Sequence, residues 1–182
     1  MSAVETHWIA DAILQFRKYK KLAEGALAQV ADGDFFRTLD PEENSVALVV
    51  KHMAGNMGSR WTSFLTSDGE KAGRNRDEEF EVRETDTRES LTAAWEAGWA
   101  KLFDALAGLQ AGDLLREIPI RGESHSVIQA VHRQLTHYAY HVGQIVFLAR
   151  HFAGPRWKSL SIPKGLSGEF DVARSGEPYR TA

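Results

Sequence analysis

Three histidines have the type and spacing to do chemistry. In HYAYHVGQI, residues 137–145, His137 and His141 stand four apart, and in VVKHMAGNM, residues 49–57, His52 lies inside a second apolar run. On a helix, residues i and i+4 have Cβ atoms about 5–6 Å apart, so two imidazoles can reach one ion at zinc–nitrogen distances of about 2.0–2.1 Å. If a neighbouring helix adds His52, three neutral imidazoles leave positions for water or substrate, the open pattern of a catalytic ion. The competing reading is packing. A lone His-x-x-x-His recurs without metal, and most single histidines in helices are partly exposed or hydrogen-bonded structurally. Rings beside an apolar stripe need partners, and spacing alone leaves both readings open.

Other chemistries are narrowed by what surrounds these rings. The chain has no cysteine, which removes disulfides, thiol nucleophiles and thiolate ligands. Tyr138 follows His137 where a His-Glu-x-x-His protease carries its general base, so zincin-type proteolysis is disfavoured. A ferritin-like di-metal site needs Glu-x-x-His, which occurs nowhere; Gln134 stands where the carboxylate would be. Asp68, Glu70, Arg74 and Arg76 are candidates to orient an anionic substrate, against the default of a solvated charged loop.

Four helical runs have to hold these residues. The first, 3–31, repeats Ile9, Ala12, Ile13, Phe16, Tyr19, Ala23, Leu27 and Val30 at helical spacing, with Gly33 as a stop. The second, 45–66, has Asn44 or Ser45 as N-cap and a stripe from Val46 to Leu65. The third, 87–109, carries the capping-box pattern Asp86-x-x-Glu89 and an aromatic face through Trp95, Trp99 and Phe103. The fourth, 126–152, opens with Ser126-x-x-Gln129 and ends before Gly154-Pro155. At about 100° per residue, His137 and His141 fall on one flank of the Tyr138 direction, together with Gln134 and Gln144. His132 falls on the opposite flank, and His125 and His151 on the back.

This pattern predicts an all-α four-helix bundle over 1–154, followed by an extended tail over 155–182 that Trp157, Leu160, Ile162 and Phe170 could anchor. The charged connection 67–86 is too long for a turn, so the second and third runs are expected to be joined by a crossover and not to be tight antiparallel neighbours. LLREIPIRGES, between the third and fourth runs, contains a short β-like piece.

Composition bounds the partners. Hydrophobic residues at 43% and charged residues at 26% fit a packed domain, not a disordered chain. A net charge of -3 without a basic stripe argues against nucleic acid. VGQIVFLA is too short to span a bilayer, and MSAVETHWIADAI lacks the basic start and apolar core of an export signal, so the expected setting is cytoplasmic. The broad aromatic faces permit homodimerisation.

VALVVKHMAGNMGSRWTSFLTSDGEKAGRNRDEEF, QAVHRQLTHYAYHVGQIVFLARHF and WKSLSIPKG together resemble an uncharacterised bacterial subgroup of the DinB/YfiT-like superfamily. The resemblance runs from the first helix to SIPKG. It implies an up-down-down-up bundle and a metal held by one histidine from the second helix and two from the fourth, here His52, His137 and His141. Zinc is the first expectation for the ion and nickel the second, since three imidazoles do not choose among such metals by affinity alone. The resemblance further implies a small-molecule substrate, with group transfer to or from a low-molecular-weight thiol; isomerase or hydrolase chemistry and a non-catalytic, stress-related scaffold are the alternatives. An ion on neutral imidazoles keeps its Lewis acidity and can ionise a substrate thiol, while water activation competes for the same open position.

Overall fold

The chain is mostly helical. A computed structural model describes residues 3–169. They hold the helices α1 (Ala3–Leu27), α2 (Asp32–Phe35), α3 (Val46–Trp61), α4 (Arg88–Ala107) and α5 (Val127–Ala153), plus a two-stranded sheet of β1 (Glu117–Ile120) and β2 (Glu123–Ser126). The four long helices are the four periodic runs. No helix among the described residues is long and apolar enough to cross a membrane.

Helix ends follow local hydrogen-bonding chemistry. Ser45 caps α3, its hydroxyl accepting from Leu48 N at 3.2 Å. Ser126 and Gln129 close a reciprocal capping box on α5, as their spacing indicates. At α4 the expected Asp86–Glu89 box is not the one formed. Thr87 is the cap and Ser90 its partner, because the Asp86 carboxylate is engaged by Lys51 Nζ at 2.7 Å and Arg83 N at 2.8 Å. Two helices also stop early: α1 ends at Leu27, with Gly33 inside α2, and α3 ends at Trp61, just before Ser63 adopts φ 51°.

The sheet departs from a purely all-α fold. Ile118 and Ile120 are buried while Glu117 and Pro119 are exposed, the period of two that a half-buried strand requires. A two-residue turn at Arg121 (φ 57°) and Gly122 (φ 75°) joins the strands, and two positive φ angles match the twist of a tight hairpin. Arginine is costly in that region, and Asp68 offsets the cost: its carboxylate accepts from the backbone N–H of both Arg121 and Gly122 at 2.8 Å. The 67–86 connection is therefore tied to the hairpin.

Packing decides which helices meet. α3 packs most extensively against α4, α1 against α5, and α3 also against α5. The two helices flanking the long connection are close neighbours but not antiparallel ones. Lys51 meets Asp86 just before α4, and Met57, further along α3, meets Gly98 further along α4, so both run the same way and the connection crosses back between them. At Gly98 a side-chain Cβ would lie 3.1 Å from Met57 Cβ and 3.5 Å from the Ala54 carbonyl oxygen, so glycine there lets α4 approach α3. The centre is aromatic: Phe16 lies 5.8 Å from Tyr138 and 6.3 Å from Trp99 between ring centroids, with Trp61 and Trp95 also buried. Burying each such side chain is worth about 1.5–3 kcal/mol, and this core fixes how α5 stands against α3.

Beyond α5, Trp157 and Leu160 pack on the core. Lys158 exchanges two hydrogen bonds with the Gln29 side chain, at 2.6 and 3.0 Å. Ile162 is exposed, at 40%, and Phe170 lies outside the described residues.

Candidate metal centre

α3 delivers His52 and α5 delivers His137 and His141 to one point. One ring nitrogen from each lies within 4.8 Å of the other two. His137 Nε2 stands 3.4 Å from His52 Nε2 and 3.2 Å from His141 Nε2. Ligand nitrogens on a tetrahedral ion with bonds of about 2.0–2.1 Å are separated by about 3.3–3.4 Å. His52 and His141 are buried and His137 is half-buried. His132 and His151 are exposed and lie apart from this cluster, as their helical phase indicates; His125, expected on the back of the fourth helix, instead belongs to strand β2, because the helix starts only at Val127.

Two of the rings are held by outer partners. His52 Nδ1 lies 2.8 Å from Glu79 Oε2, and His141 Nδ1 lies 2.7 Å from Gln144 Oε1. Both partners are oxygen acceptors, so each ring carries its proton on Nδ1 and turns an Nε2 lone pair inward. His137 Nδ1 is buried without a partner among the described residues; the rings of Tyr138 and Tyr140 flank it instead, at 5.5 and 5.4 Å between centroids. A proton on His137 Nε2 would satisfy only one of the two facing lone pairs. A cation satisfies all three, so the donor set fits a metal ion.

The protonation states agree with that. Burial, with the neighbouring rings adding to it, pushes His137 down to about 3; burial likewise takes His141 down to about 4. Both are neutral ligands at pH 7 with no proton to displace. Burial alone would raise Glu79, but hydrogen bonds from His52 and Arg74 outweigh it and hold the carboxyl below its usual range.

Glu79 is the residue that sequence reasoning missed. It sits in a short helical turn, Asp77–Phe80, inside the connection expected to be solvated. Arg74 grips its two oxygens through Nε and Nη2, each at 2.7 Å. Arg74 also binds Glu70, which in turn takes Arg60 Nη2 at 3.1 Å and Arg121 Nε at 3.0 Å. The Phe80 ring stacks on His52 at 4.7 Å. Of the four charged candidates in this loop, Asp68 pins the hairpin, Glu70 and Arg74 build the network behind His52, and Arg76 lies exposed over Phe80 at 5.0 Å. Gly55 on α3 makes room: a Cβ there would overlap the Glu79 carboxylate, 2.7 Å from its Cδ. No periodicity flags Glu79. Gln144 was visible as sharing the flank of His141.

Above the rings opens a cleft of about 270 Å³, lined by His52, His137, Asn56 and Gln134 and reaching the exposed Arg133 and Tyr140. Its polar floor is ordered. Asn56 Oδ1 accepts from Gln134 Nε2 at 2.7 Å and from the Tyr138 hydroxyl at 3.0 Å, and that hydroxyl accepts from Trp61 Nε1 at 3.1 Å. Burial raises the Tyr138 hydroxyl well above its ordinary range, which suits a core residue and not a base.

Residues 3–166 match the family described as "Protein of unknown function (DUF1572)", and the chain belongs to that family. Among curated proteins and solved structures, nothing matches.

Proposed function

Starting from that family membership, which assigns no activity, we propose that the protein is a metal-dependent enzyme of the DinB/YfiT-like kind. Its reaction is group transfer to or from a low-molecular-weight thiol. One observation carries the reading: three ring nitrogens converge, and two of the rings, His52 and His137, line a cleft that reaches the surface. A structural ion would call for closed coordination. The ring of contacts among α1, α5, α3 and α4 supports an up-down-down-up bundle as the scaffold.

His52, His137 and His141 would hold the ion, zinc first and nickel second. When bound, it supplies Lewis acidity that favours the ionised form of a thiol entering through the cleft. The chain's own residues do the rest. Glu79 and Gln144 keep the His52 and His141 lone pairs aimed inward, while Asn56 and Gln134 offer polar contacts to an incoming small molecule. With no cysteine in the chain, the thiol arrives as a substrate. The setting is cytoplasmic.

Metal analysis of tag-free protein should find about one transition ion per chain, from the one three-ligand cluster. His137→Ala should remove most of it and leave helical circular dichroism intact. A full metal load in that variant ends the ligand assignment. The loaded protein is then assayed against a thiol panel paired with electrophiles, and against esters and amides. Turnover confined to the latter replaces transfer with hydrolysis; no turnover with either class leaves a non-catalytic metal-binding protein.

A further inference from the structure

The cleft that His52 and His137 line is also lined by five arginines and by no carboxylate: Arg60, Arg74, Arg76, Arg121 and Arg133. Behind it, Glu70 and Glu79 neutralise part of this charge, Glu79 pairing with Arg74, and Glu70 with Arg60, Arg74 and Arg121. Two carboxylates thus serve three guanidiniums and a histidine. Arg76 and Arg133 form no ion pair with any described residue. Arg76 stacks its guanidinium over Phe80, which itself covers His52, so it is held at the site by packing. A second observation points the same way. Arg60 is only 5% exposed, lines the cleft, and keeps a buried Nε–H with no acceptor. An unpaired donor on a buried guanidinium at the wall of the cleft is positive charge that no protein acceptor offsets, and it adds to the attraction for an anion.

Guanidinium stays charged under all ordinary conditions. The excess positive charge in this concavity is therefore permanent. A cleft of one sign focuses its field and raises the local concentration of the opposite ion. Arginine's fork also matches carboxylate and phosphate oxygens two at a time. We propose that the substrate carries an acidic group, carboxylate or phosphate, that pairs with Arg76 and Arg133 while its other end lies over the His52–His137–His141 cluster. This names the substrate class for the function proposed above and rests on the cleft being its substrate site.

The test uses the full chain, as purified and after chelator treatment, titrated calorimetrically with inorganic phosphate and separately with glutarate. The chelated arm isolates the arginines from any anion bound to metal. Saturable binding of one anion per chain is expected, weakened at least tenfold by Arg76→Ala combined with Arg133→Ala and by raising the salt. Arg116→Ala, an exposed arginine outside the cleft, should change nothing. Binding of phosphate alone identifies a phosphorylated substrate, and of glutarate alone a carboxylate. Both substituted arginines are exposed, and circular dichroism checks that the double variant folds. Absence of binding by either anion, or equal binding in the double variant, overturns the anion subsite while leaving the metal reading standing. Anion binding in a protein that loads no metal has the opposite meaning: the subsite stands and the metal chemistry falls.

Discussion

Two stretches of this chain lack helical periodicity, and they are held in opposite ways. The connection around residues 67–80 is highly charged, yet Glu79, Arg74 and Arg60 are buried or nearly so, locked together by ion pairs and clamped to the hairpin by Asp68. As far as Glu169, the stretch after α5 carries Trp157 and Leu160, yet it is mostly exposed and rests on those two apolar contacts and one glutamine. Polarity of sequence did not sort buried from exposed; the number of fixed partners did. Buried charges are costly unless each meets a partner, so the connection has a single workable arrangement, whereas the tail's apolar contacts are few and separable.

The largest effect should come from breaking a charge in the connection. Glu79→Ala leaves Arg74 and His52 facing an empty space, and removing one member of a buried pair costs about 3–5 kcal/mol. Urea unfolding should register that loss, and metal affinity should fall by about 10–100-fold as His52 loses its outer partner. Trp157→Ala in the tail should cost less, about 1–2 kcal/mol, since a half-buried ring forfeits only part of the about 3–5 kcal/mol of a buried one. A tail variant more damaging than Glu79→Ala would invert the comparison.

A subtler change sharpens it. Gly55→Ala gains about 1 kcal/mol of helix propensity but forces the Glu79 carboxylate away, at an overpacking cost of about 1–3 kcal/mol. The expected net destabilisation is up to about 2 kcal/mol, accompanied by weaker metal binding. An unchanged metal titration would show that Glu79 does not orient His52.

The smallest effect near neutrality is that of pH. The Glu70 and Glu79 carboxyls are held below their usual range. Their contribution is therefore fully present above the unfolded carboxyl value of about 4.3 and is lost as pH falls through the folded values. Acid should loosen the connection before the tail, as read by hydrogen exchange in residues 67–80. For the histidines the sign also favours higher pH. Unfolded rings take up protons below about 6.5, whereas His137 and His141 do so only near about 3 and about 4. Stability should decline gently from pH 6.5 downward, while proton competition for those two ligands begins only near pH 4. Metal release centred on pH 6.5 would contradict their depressed basicity.

The aromatic stripe of α4 and the caps at Ser45 and Ser126 were legible in the sequence because a 3.6-residue period and a side-chain oxygen at the right offset act locally. So was the ridge shared by His137 and His141, which helix geometry alone dictates. The α4 cap was misread because Asp86 answers to Lys51, thirty-five residues away, and not to its own helix. β1 was visible only as a hint, since its inward isoleucines need a partner strand to count.

What this sequence determined by itself is therefore whatever depends on neighbours within about one turn of chain: four helical runs, a two-histidine ridge, and the absence of any thiol. Tertiary structure alone decided that His52 joins that ridge, that Glu79 reaches it across the space Gly55 leaves open, and that arginines from four separate segments crowd one cleft. The physical reason is distance along the chain: electrostatic and packing partners are selected by proximity in space, and spacing in sequence carries no trace of them.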